Sequence, residues 1–270
     1  PIIGCNWKSA GNAGLCLSCA CTRTVPDLSV SENVRRLSRL EVAKRQLVRS
    51  LLRFGLPFAS KREVPDRGLA FDFLAPIVQT DGTVQSVTTG HAEGVITIDL
   101  GEADDVQRAE RRQQFGERYR TLLGHLRHEI GHFFWDRLIA DKQRFEEFRA
   151  IFGDEREDYQ AALAGHYRDG PLADWQMRCV SAYASAHPWE DFAESWAHFM
   201  HVVDGLETAR AYAIVPSYRP GEDSPPTSET DPYADREFPG LIDRFVPLTE
   251  PSTAKLAFVH SLVQRRSEPG

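Results

Sequence analysis

Apolar spacing divides the chain into long helical stretches around a short β-rich interval. Val34, Leu37, Leu40, Leu47, Leu51 and Phe54 recur at near-helical intervals. That spacing predicts a helix from Ser31 to Gly55, with Ser31 able to cap its start and Gly55 to stop it. LAFDFL at 69–74 and VITIDL at 95–100 read as strands, with a turn at Asp81-Gly82 between them. The second run alternates weakly, as an edge strand with one exposed face would. A charged helix is expected over 103–115. Leu122, Leu123, Leu126, Ile130, Phe133, Phe134 and Leu138 cover much of the circumference of a helix over 119–139, which should therefore be buried. Helices are also expected over 142–165 and from Pro188 to about Tyr212. The stretch 216–232, with five prolines, reads as a loop, and Leu256, Phe258, Val259 and Leu262 suggest a short C-terminal helix. The fold class expected is α+β, mostly helical, with a small antiparallel or mixed sheet.

Composition narrows the function classes. The 270 residues are 41% hydrophobic and 26% charged, which suits a globular protein with an ample core. No run approaches 18 apolar residues, so no membrane span is encoded. The net charge of -7 weighs against broad binding to nucleic acid or anionic lipid. The chain begins at Pro1 with no secretory pattern behind it, so a trimmed start and a cytoplasmic protein are expected. Four of the five cysteines, Cys5, Cys16, Cys19 and Cys21, lie close together and Cys179 stands apart. This odd, clustered set is a poor disulfide framework and a better thiolate metal site. Residues 1–26 are expected to form a Cys-rich segment and 27–270 the main domain.

The strongest chemical signal is His128-Glu129-Ile130-Gly131-His132, an H-E-x-x-H. Positions i and i+4 stack on one helix face, so both imidazoles can grip one ion. Glu129 lies about 100° round the helix, where it can reach water without binding the metal. With nine histidines in 270 residues, chance supplies about 0.02 such matches. Zinc suits two histidines, one carboxylate and an open fourth position.

The third ligand is less sharply specified. A glycine three residues after His132 and a histidine six after it would make a metzincin, but Trp135 and Leu138 stand there. The favoured candidate is Glu190 in WEDFAESW, with Glu194 one turn on to accept a hydrogen bond from the far nitrogen of a ligating histidine, His128 by preference. Glu194 itself, His187, His198 and Asp191 are the rivals. This E-x-x-x-[DE] arrangement resembles the gluzincin peptidases, including thermolysin and the anthrax lethal factor group. In the latter a tyrosine stands seven residues before the ligand, where Tyr183 stands here. The resemblance implies that its hydroxyl assists the oxyanion.

TLLGHLRHEIGHFFWDRL, FGDEREDYQAAL and VSAYASAHPWEDFAESWAHFMHVVDGLETA together resemble the bacterial zinc-binding metallopeptidase family. CTRTVPDLS, RRLSRLEVAKRQLVRSLLRFGLPF and GLAFDFL fit as well, so the likeness runs from about residue 5 to 210. It implies a zincin-like peptidase domain preceded by a zinc-ribbon-like segment. Cys5, Cys16 and Cys19 match later cysteines of that segment, while Cys21 departs from the pattern and is a substitute fourth thiolate. The function implied is hydrolysis of peptide or protein substrates by one catalytic zinc, with a second, structural zinc at the cysteines. The substrate is expected along Val95–Leu100. The alternative is a metal-stabilised binding module without turnover. The tryptophans beside the motifs, Trp135, Trp189 and Trp196, are expected in the core.

Overall fold

A computed structural model describes residues 3–9, 14–79, 81–104, 121–214, 231–235 and 237–249. The expected helix over 103–115 falls almost entirely outside them, and the proline-rich loop largely so. The C-terminal helix at 256–262 lies wholly outside. The protein is α+β and mostly helical, and it divides into two compact units, residues 1–134 and 135–270.

The first unit holds a short helix α1 (Leu17–Ala20), strand β1 (Thr22–Thr24) and the long helix α2 (Ser31–Arg53). Helix α2 follows the apolar stripe read from the sequence, with Leu37, Leu40, Leu47, Val48 and Leu51 fully buried. Its cap differs from expectation. Val30 is the N-cap and Ser31 the first helical residue, with no side-chain cap bond. Gly55 ends the helix as expected, at φ +67°.

Strands β2 (Ala70–Leu74), β5 (Gly90–Ala92) and β6 (Val95–Asp99) join β1 in a mixed four-stranded sheet of order β1-β2-β6-β5; β3 (Ile77–Val78) and β4 (Val84–Gln85) form a separate hairpin. VITIDL is therefore not an edge. It pairs parallel with β2 on one side and antiparallel with β5 on the other. Ile96 and Ile98 are buried, and the weak alternation reflects an interior strand. The outer position belongs to β5, three residues too short to announce itself. Helix α2 is tied to the sheet through Lys44, whose Nζ lies 5.6 Å from the ring centroids of both Phe71 and Phe73. The same Nζ is 2.7 Å from the buried Glu41 carboxylate, so neither charge is left alone in the core. A 3-10 turn (Leu100–Ala103) follows β6, and helix α3 (Leu122–Trp135) closes the unit.

The second unit opens with a π turn (Asp136–Ala140), then α4 (Phe145–Phe152) and α5 (Tyr159–Asp169). The single helix expected over 142–165 is thus two. Gly153 adopts φ +101°, which L side chains rarely take, and Asp158 caps the new start by accepting from Ala161 N at 3.0 Å. Helix α6 (Pro188–Ala211) is the spine, against which pack the 3-10 turn Tyr183–Ala186, α4 and α7 (Phe238–Thr249). Helix α7 escapes a sequence reading because Pro239-Gly240 and Pro247 read as turns. Gly205 admits it closely: a Cβ there would lie 2.6 Å from the Phe245 ring. Trp135, Phe148, Phe152, Trp189, Phe192 and Trp196 form a chain of ring contacts at 5.1–6.1 Å; Trp135 lies in the core as expected, while Trp189 and Trp196 are half-buried. Among the described residues, no helix is long and apolar enough to cross a membrane.

Candidate metal centre

In the first unit, α3 carries His128, Glu129 and His132. One helical turn brings the two rings face to edge, and their Nε2 atoms lie 3.2 Å apart. Two nitrogens at about 2.05 Å from a tetrahedral zinc would be about 3.3 Å apart. The pair therefore already has the bite that zinc requires. His128 is 8% exposed and Glu129 5%, so both are shielded from bulk water.

Glu129 is not isolated. Its Oε1 lies 3.4 Å from Nε2 of His125, one turn earlier. Burial pushes the Glu129 carboxyl up, but His125 and the neighbouring histidines more than reverse this and hold it below the ordinary value. His125 lies in turn 3.6 Å from Glu102 in the 3-10 turn after β6. On its other flank His132 meets His91 of β5, their rings stacked at 6.5 Å with planes 11° apart. None of His91, His125 and Glu102 was singled out from the sequence. His125 stands at i−4 from Glu129, a spacing that could have marked it; the other two come from distant elements.

In the second unit, Glu190 sits in the first turn of α6 and is 1% exposed. Its Oε1 accepts a hydrogen bond from Tyr159 Oη at 2.6 Å. Tyr159 lies 31 residues away, inside one of the stretches that carry the family likeness, and its role was not legible there. A buried carboxylate in a helical first turn is stabilised by the exposed N–H groups and the helix dipole. Asp191, also in that turn, is 4% exposed and accepts from Ser195 Oγ at 3.3 Å. Glu194, one turn on, accepts from Ser181 Oγ at 2.6 Å. Tyr183 opens the 3-10 turn against α6, and burial, then the Glu190 charge, pushes its phenol well above the ordinary value. The rival ligand His187 is the N-cap of α6. Its Nδ1 accepts from Trp189 N at 3.1 Å and its Nε2 lies 3.2 Å from the Glu157 carbonyl, so both ring nitrogens serve the fold. His198 Nδ1 lies 2.8 Å from the Glu194 carbonyl.

At the N-terminus, Cys5, Cys16 and Cys19 form a group in which each sulfur could bind one ion. Cys16 caps α1, its sulfur accepting from Cys19 N at 3.4 Å, and lies 3.6 Å from Cys5 Sγ. Burial, reinforced by the neighbouring Cys5 and Cys16 thiols, raises the Cys19 thiol to about 12 in the metal-free chain. Cys21 is not brought into this group. It lies 1% exposed, its thiol pushed up to about 11 mainly by burial, and its carbonyl accepts from Phe71 N at 2.7 Å. All of these cysteines are free thiols.

A family model described as "Putative zinc-binding metallo-peptidase" matches residues 33–261. Uncharacterized proteins of Mycobacterium bovis and of two strains of Mycobacterium tuberculosis are each 40% identical over 248 residues, 91% of this chain and 69% of the relative. No solved structure matches the chain significantly.

Proposed function

The chain belongs to the zinc-binding metallopeptidase family, and from that premise we propose that it is a zinc-dependent peptidase of the gluzincin kind. In this reading His128, His132 and Glu190 each give one ligand atom to a single catalytic zinc. The observation that carries it is the 3.2 Å spacing of the two Nε2 atoms, one helical turn apart. The donor set fits as well: imidazole nitrogen and carboxylate oxygen match borderline-soft zinc better than calcium or magnesium. Tyr159 holds the Glu190 carboxylate from behind. Glu194 supplies the second carboxylate of the motif, oriented by Ser181.

Zinc, when bound, supplies Lewis acidity that polarises a carbonyl and acidifies water. The protein supplies the rest. Glu129 takes a proton from the attacking water and passes it to the leaving amine. Tyr183, kept protonated by its surroundings, donates its hydroxyl hydrogen to the oxyanion. The substrate backbone pairs with β5, the outer strand, and not with β6, which has neighbours on both sides. His91 of β5 beside His132 brings that strand to the ligand helix. The cysteine trio is proposed to hold a second, structural zinc.

Wild type and Glu129→Ala should be compared on an unbiased peptide library, with zinc content measured in both. Hydrolysis should fall by about 10²–10⁴-fold in the variant while zinc is retained. Equal hydrolysis by both, or none by zinc-loaded wild type, contradicts the reading.

A further inference from the structure

His125 lies between two buried carboxylates drawn from different elements of the first unit. Its Nε2 is 3.4 Å from Glu129 Oε1 and its Nδ1 is 3.6 Å from Glu102 Oε2. Glu102 is 2% exposed and Glu129 5%. A neutral imidazole has one N–H and one lone pair, so in this sandwich its lone pair would face a carboxylate. The doubly protonated ring gives a donor to each side and separates two like charges in a low dielectric. The H-E-x-x-H motif does not require a histidine here.

We infer that His125 is a positioning residue for Glu129: held by charge at ion-pair distance from Glu102, without a hydrogen bond to it, it donates to Glu129 Oε1 and so turns the other carboxylate oxygen toward the water to be activated. This rests on the peptidase reading above. The electrostatics agree. Burial pushes the His125 imidazole down, but the two carboxylates outweigh it and hold the ring above its ordinary value. Anchoring also matters for rate. A general base displaced by 1 Å from its reacting geometry forfeits about 10²-fold. Glu102 supplies a fixed point outside α3, at the end of β6, so the base is referred to the sheet as well as to its own helix.

Two measurements test this. In the metal-free protein, nitrogen-15 NMR of the histidine rings reads His125 directly, its signals identified by their loss in His125→Gln. Both ring nitrogens should carry protons at pH 7 in wild type, and the ring should revert toward neutral in Glu102→Gln. A neutral His125 in wild type overturns the inference whatever the activity. In the zinc-loaded protein, His125→Ala should lower kcat by about 100-fold. KM and zinc content should stay within about twofold of wild type. His125→Gln, whose amide can mimic the Nε2–H donor, should recover about tenfold of that loss. Unchanged kcat in His125→Ala alongside an inactive Glu129→Ala overturns the inference and leaves the peptidase reading standing. Inactive wild type overturns both the reading and the catalytic role inferred from it.

Discussion

A pair of imidazoles one turn apart can be read from five letters of sequence, because an α-helix converts i and i+4 into a shared face. His128 and His132 were legible for that reason, and their Nε2 spacing of 3.2 Å matches the bite of zinc. The third ligand is a different problem, since no local rule links it to the helix. The Glu190 assignment predicts a split between two neighbouring variants. Glu190→Ala should lose catalytic zinc, whereas Glu194→Ala should keep it, weakened by about 10–100-fold as outer partners usually are. Zinc retained by the first and lost by the second reverses the assignment. Tyr159, Glu102 and His91 stayed hidden because each reaches its partner from a distant part of the chain. His187 shows the converse: a plausible ligand by type, it is occupied as the cap of α6.

Elements were legible where a long period repeats. Helices α2 and α3 follow their apolar stripes, and the observed ends of α2 and α6 lie close to the expected ones. Short elements were not. Three-residue β5 carries no period, yet by pairing with β6 it moves the sheet edge and with it the proposed substrate strand. Helix α7 was masked by its prolines, and the 142–165 stretch was divided by one glycine and one capping aspartate. Within the sheet, β1 and β2 are tied by Arg23, whose Nε donates to Asp72 Oδ1 at 2.9 Å. Burial raises the Asp72 carboxyl, but Arg23 and Thr24 lower it further, so its net shift is down. A depressed carboxylate contributes stability above its unfolded pKa of about 3.9 and loses it as pH falls through the folded value. Arg23 is half exposed, so the contribution at pH 7 is about 1 kcal/mol or less. Urea melts of wild type and Asp72→Asn should therefore differ at pH 7, and the gap should shrink as pH falls below the unfolded pKa of about 3.9. A gap that persists or widens at low pH contradicts this account of the pair.

At the scale of the whole molecule, membership of the zinc-binding family sets the coarse chemistry, and the donor groups set how many ions to expect. If each donor group holds one ion, as proposed above, the purified protein should carry about two zinc per chain. Cys16→Ser should remove one of them and leave peptide hydrolysis by the remaining site. About one zinc in wild type removes the structural site from the account. Chelation should lower the thermal midpoint, with recovery on adding zinc, because an ion bound only by the folded chain stabilises it. The acidic balance, with a net charge of -7, weighs against broad binding to nucleic acid. The central claim, that two histidines of one helix and a carboxylate from a separate stretch of chain share one ion, is met most directly by a crystal structure of the zinc-loaded protein with anomalous data at the zinc edge. The account predicts zinc at about 2.0–2.2 Å from His128 Nε2, His132 Nε2 and one Glu190 oxygen, with solvent in the fourth position. Zinc bound there with Glu190 outside its coordination sphere, or no zinc on the histidine pair, would contradict it.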